Sequence, residues 1–254
     1  MAKPKSSRRS RQSLTGRHAY WSISKRPLQI LAFLLPLIIL YELALTFLLQ
    51  SQESVRTVLA HRYLLQFFDA FNVAPQGGLH LGGIAIVVVL LVWHILDRSP
   101  WRVSISACGF MAVESLLLTL PLLVLSQIIT RTAAGAFAPS LQDLDKWSQV
   151  SISIGAGLYE ELMFRMLLIA VVHTLLVDVG KASHGLGAAI AVIVSAAAFA
   201  CYHPLKAPSD TIFYLMAGLY FGAIYVSRGF GIVVAVHAFY DILTFWLLSP
   251  TRAS

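Results

Sequence analysis

The chain has 254 residues, 57% of them hydrophobic and only 12% charged, with a mean hydropathy of +0.74. A soluble domain carries roughly 25% charged residues, so the composition excludes an ordinary soluble fold and points to a polytopic membrane protein. The net charge of +7 is unevenly placed: Lys3, Lys5, Arg8, Arg9, Arg11, Arg17, Lys25 and Arg26 precede Pro27 with no acidic residue among them.

A basic stretch beside an apolar span reads as a juxtamembrane segment meeting anionic lipid head groups rather than nucleic acid. Residues 1–27, rich in Ser and Arg, are expected to be a disordered cytoplasmic tail. The apolar run that follows is too long for a signal-peptide core, so a cleaved leader is not expected. Cys108 and Cys201 stand in separate apolar runs without metal-site spacing, and each reads as a small buried hydrophobe.

In chain order, a first span is predicted from Leu28 to about Gln50, with Pro36 and Glu42 inside it. Glu42 at membrane depth is expected to face the bundle interior or a cavity. Between Ser51 and Pro75, Val55, Leu59, Tyr63, Phe67 and Phe71 recur at helical spacing, with Arg56, His61, Arg62 and Asp69 between them. This amphipathic pattern predicts a helix lying in the interface, ended by Gln76-Gly77-Gly78.

The second span is predicted from Leu79 to Leu96 and the third from Ser104 to Ile129, the latter carrying Glu114 and Pro121. Glu114 reads equally as cavity-lining or as a hydrogen-bonded structural carboxylate. Arg131 to Trp147 is a polar connection. The fourth span, Val150 to Val177, holds Glu160, Glu161 and Arg165. The fifth, Leu186 to Tyr202, is rich in Ala and Gly and stops at His203-Pro204. The sixth runs from Thr211 to Val226, and the seventh, Ile232 to Leu248, carries His237 and Asp241 four apart. The expectation is therefore an all-α polytopic bundle of about seven spans, or eight if residues 51–75 cross. Residues 28–250 form the transmembrane domain.

Charges inside a span mark functional sites by default. Glu161 and Arg165 share a helix face and can neutralise each other. Glu160 points about 100° away and must find a partner on another helix. With His203 and His237-Asp241 on two further apolar segments, the polar groups suggest one cavity. Glu and His are general-base types, and a water held between them can become a nucleophile. They are zinc-ligand types as well. A buried ion-pair network that only steadies the bundle is the plainer alternative. No nucleotide-binding glycine loop and no G-x-S-x-G elbow is present, which removes several enzyme classes.

Glu160-Glu161-x-x-x-Arg165, Phe199-x-x-x-His203 and His237-x-x-x-Asp241 resemble, in order, the three motifs of the CPBP family, which includes type II CAAX prenyl proteases and bacteriocin-processing or immunity-associated membrane proteins. The likeness covers residues 150–248. It implies a membrane-embedded endopeptidase acting on a membrane-associated protein or peptide; a multi-pass protein of a bacterial cell membrane is expected, with the basic N-terminus placed in the cytoplasm by its charge.

Carried over by position, Glu160 activates water with His203, Glu161 and Arg165 brace the helix with Phe199 nearby, and His237 with Asp241 binds the oxyanion. Met166 stands where Gly is frequent, and Asp241 where Asn is common. An ionised Asp cannot donate to an oxyanion, so Asp241 is expected to be protonated, to orient His237 or to bind a metal. The family's chemistry is open between a glutamate-activated water and a zinc-bound one, for which Glu160, His203 and His237 are the ligand set; the metal-free route asks less geometry. A non-catalytic immunity or scaffold protein and a small proton-coupled transporter are the other functional classes. The transporter reading lacks visible inverted repeats.

Overall fold

The computed structural model describes residues 20–49, 58–70, 80–132, 145–205 and 207–247. The basic residues before Tyr20, the Gln76-Gly77-Gly78 stop and most of the connection before Trp147 lie outside the described residues. Besides a helical turn at 20–23, the described residues form the helices α1 (Pro27–Ala44, continued by a π-helical turn Leu45–Leu49), α2 (Leu59–Ala70), α3 (Leu81–Asp97), α4 (Ile105–Thr132), α5 (Lys146–Glu161, continued to Val179), α6 (His184–Tyr202), α7 (Pro208–Arg228) and α8 (Phe230–Leu247). α1, α4, α5, α6 and α7 are long and apolar enough to cross a membrane; α3 and α8 are shorter apolar helices. The molecule is an all-α, multi-pass membrane bundle.

The helix ends follow local chemistry. Pro27 opens α1 and Pro208 opens α7, positions where the missing N–H costs nothing. Asp145 caps α5, accepting from the backbone N–H groups of Trp147 at 3.0 Å and Ser148 at 3.1 Å. The Ser148 hydroxyl, then these N–H groups, hold the Asp145 carboxyl below its usual range. Ser183 caps α6 in the same way, accepting from Leu186 N–H.

α8 is the central element. Its run Ile232, Val233, Val234, Ala235 and Val236 has no exposed surface, as expected of a helix apolar all round. It packs against α5 on one side and α4 on another, while α7 lies along α6. Lipid gives helices no hydrophobic reason to associate, so close backbone approach must do so. A Cβ on Gly157 would sit 2.7 Å from the Val234 carbonyl oxygen, and one on Gly218 would sit 2.8 Å from Ala196 Cα. These two glycines set the α5–α8 and α6–α7 spacings.

Three sequence expectations need correction. Of the stretch 51–75, the described residues form α2 over Leu59–Ala70. His61 does not sit on a wetted face: it is fully buried, while Tyr63 and Phe67 are 46% and 58% exposed. The helix turns its apolar stripe outward because the bundle offers His61 polar partners.

α7 runs two residues past the expected end at Val226, to Arg228. Arg228 is almost fully buried, with Nη2 2.7 Å from Glu114 Oε2 and its guanidinium 3.7 Å from the Trp21 ring. Glu114, also bonded by Tyr20, is thus the structural carboxylate of the two readings offered for it. Cys201 is exposed rather than buried and Cys108 is partly buried; both are free thiols.

Candidate active site

Two apolar clusters meet along a seam, one built on α1, α2, α3 and α5 with Phe230 and Val234 of α8, the other on α4, α6, α7 and α8 with Phe164 of α5. Met163 and Tyr202 border both. The polar groups singled out in α5, α6 and α8 converge there.

Glu160 lies near the end of the regular part of α5 and is 5% exposed. Its Oε2 is 3.7 Å from His203 Nε2 and 3.9 Å from His237 Nε2, and has no hydrogen-bond partner among the described residues. The carboxylate without a partner in its own turn therefore faces two imidazoles supplied by other helices. Asp241, one turn after His237, places Oδ2 3.7 Å from His237 Nε2. All four residues thus gather at one point.

Each imidazole is oriented through its other nitrogen. His203 follows the last residue of α6 with extended backbone, a conformation that Pro204 favours. Its Nδ1 is 2.9 Å from the Phe199 carbonyl oxygen. A carbonyl only accepts, so Nδ1 carries a proton and Nε2 is the nitrogen turned toward Glu160. His237 Nδ1 lies 2.7 Å from Glu161 Oε1, which fixes its ring in the same sense. A second-layer acceptor behind an imidazole is a common way to set the tautomer.

Glu161 is shared. Besides His237 it pairs with Arg165 Nη1 at 3.1 Å, both side chains fully buried. Beyond Glu161 the helix widens into a π-helical segment, Leu162–Leu168, a local form frequent at functional sites. Ser195 of α6 donates to the Phe164 carbonyl at 2.8 Å. Arg165 Nη2 donates to the Gly218 carbonyl at 3.3 Å. Its guanidinium lies 4.3 Å from the Phe199 ring centroid and 5.2 Å from that of Phe221, contacts that gain strength when desolvated. Phe199 is thus central to the support, touching Arg165, His203 and His237.

Several neighbours are invisible to motif reasoning. Tyr214 stacks on His203 at 4.1 Å with a 19° tilt, and Phe221 stacks on His237 at 4.7 Å with 17°. Tyr202 stands edge-on to His203 at 5.0 Å. None is in helical register with the residue it touches, so periodicity gave no signal. For metal binding, no group of three His, Cys, Asp or Glu that could hold an ion is found among the described residues. Glu160 approaches each imidazole at 3.7 and 3.9 Å.

Residues 143–243 match the family described as type II CAAX prenyl endopeptidase Rce1-like. The matched region contains every residue of the candidate site and is similar to that family. Comparison with curated proteins and with solved structures returns no match.

Proposed function

We propose that the chain is an intramembrane endopeptidase that hydrolyses a peptide bond of a membrane-associated protein, with Glu160 as the base that activates water. The observation that carries this reading is the placement of Glu160 Oε2, buried and without a hydrogen bond, opposite His203 Nε2 and His237 Nε2. The family match supports a protease in general.

A water between these groups gives one proton to Glu160 and hydrogen-bonds to His203 Nε2 through the other. The hydroxide formed attacks the peptide carbonyl. Protonated His237 donates from Nε2 to the developing oxyanion, its Nδ1 held by Glu161. Asp241, with Oδ2 3.7 Å from His237 Nε2, favours the charged imidazole electrostatically and leaves donation to it. Preorganised donors of this kind are each worth ~2.7–4 kcal/mol. Glu160 then returns its proton to the leaving amine, and the products are a free carboxyl group and a free amine. No step is assigned to a metal.

The test is hydrolysis of a membrane-anchored peptide library by purified protein in nanodiscs. Glu160→Gln preserves shape and removes the base, so cleavage should fall by about 10²–10⁴-fold while the protein stays folded. Cleavage at the wild-type rate by a folded Gln variant rejects the assignment. Uptake of protons without cleavage would favour a transporter.

A further inference from the structure

The structure carries a second buried polar cluster outside the catalytic groups. His61 of α2 is fully buried and shares a 3.0 Å hydrogen bond with the Tyr41 hydroxyl of α1. Its ring stacks on Tyr159 of α5 at 4.3 Å with a 5° tilt. The Tyr159 hydroxyl donates to Glu42 Oε1 at 3.4 Å, and Glu42 Oε2 accepts from His80 Nδ1 at 2.5 Å. The surface of α3 is cut away to fit the cluster: a Cβ on Gly82 would sit 2.6 Å from Tyr159 Cε1 and 2.8 Å from His61 Nε2. Residues from three helices therefore clamp one tyrosine of a fourth, and all but that tyrosine lie outside the matched region.

Tyr159 immediately precedes Glu160. Successive residues of a helix point about 100° apart, so Tyr159, Glu160 and Glu161 fan across the surface of α5. Glu161 is tied to α8 through His237, and Tyr159 is tied to α1 and α2 through Glu42 and His61. Glu160 stands between the two ties. We infer that the His61–Tyr159–Glu42 cluster sets the rotation of α5, so that His61 and Tyr159 are positioning residues for the Glu160 carboxylate. Removing one tie lets α5 turn, and misplacing a reacting group by about 1 Å costs on the order of 10²-fold in rate. α2 is then a structural part of the enzyme rather than a passive surface helix.

The kinetic part of this inference rests on the proposed proteolysis; a spectroscopic part does not. In nanodiscs, Tyr159→Phe and His61→Ala should lower kcat roughly 10- to 100-fold with KM little changed. His61→Phe, which keeps a stacked ring, should recover most of that loss. Phe67→Ala, on the exposed side of α2, should behave as wild type. In parallel, the infrared carboxyl stretch that Glu160→Gln deletes should shift in frequency in Tyr159→Phe and His61→Ala.

Wild-type kcat per folded molecule in both variants overturns the inference. So does a change confined to KM, or a lower kcat with the Glu160 band unmoved. A wild-type protein that cleaves nothing rejects the proposed function instead, and the band alone then decides: shifted in Tyr159→Phe, the positioning stands; unshifted, it falls. Tyr159→Phe alters one hydroxyl only, which keeps the test open if His61→Ala does not fold.

Discussion

Glu161 Oε1 lies 2.7 Å from His237 Nδ1, so the carboxylate beside the proposed base is the anchor of an imidazole on another helix. Helical spacing alone assigns Glu161 to Arg165; the tertiary fold makes it a three-way junction. It braces α5 and orients the site in one stroke.

Glu161→Gln should therefore affect both stability and catalysis. It strands the buried Arg165 charge, and breaking one side of a buried pair costs ~3–5 kcal/mol. A thermal melt in detergent should show a clearly lower midpoint, and the remaining folded protein should be less active because His237 has lost its charged acceptor. An unchanged midpoint would count against the pair as a stabilising contact.

At Asp241, Asn should be tolerated and Ala should not. Asp241 Oδ2 is 3.7 Å from His237 Nε2, and an amide can occupy that place with an acceptor and a donor. Turnover of the three proteins on one peptide checks it; full activity in the Ala variant removes the position from the site.

A strong zinc chelator should leave proteolysis largely intact, because the proposed chemistry uses a carboxylate and two imidazoles alone. Elemental analysis of the purified protein is the companion measurement. Stoichiometric zinc that disappears together with activity in His203→Ala would reverse this, since three protein ligands and one open position is the usual catalytic arrangement.

The topology is predicted from charge. Positively charged flanks favour the cytoplasm, which puts the N-terminus inside. With α2 lying flat, α5 then enters from the outer face. Single cysteines at Trp147 and Ser183, in a background lacking Cys108 and Cys201, bracket α5. The first should be labelled from outside in intact cells and the second protected. The opposite pattern would turn the site toward the cytoplasm.

The sequence by itself determined the membrane class, the order of spans and the residues that carry charge into them. Hydrophobic runs near 20 residues and stops such as Pro204 are local signals, so the fourth span predicted from Val150 to Val177 is found as Lys146–Val179. Glu160, Glu161, Arg165, His203, His237 and Asp241 were legible for a related reason. Ionisable groups are rare at membrane depth, and each one stands out against an apolar segment.

Only the tertiary structure decided which of these groups touch, because helical periodicity reports neighbours within a helix and is silent between helices. It brought His203 and His237 to the same oxygen of Glu160, and placed Tyr214 and Phe221 flat against them. It also paired Arg228 with Glu114, 114 residues away. His61 is the clearest case. Read along the chain it belongs to the polar side of an amphipathic helix. In the fold, Tyr41 and Tyr159 offer it a hydrogen bond and a stacking face, so it turns inward and leaves Tyr63 and Phe67 outside.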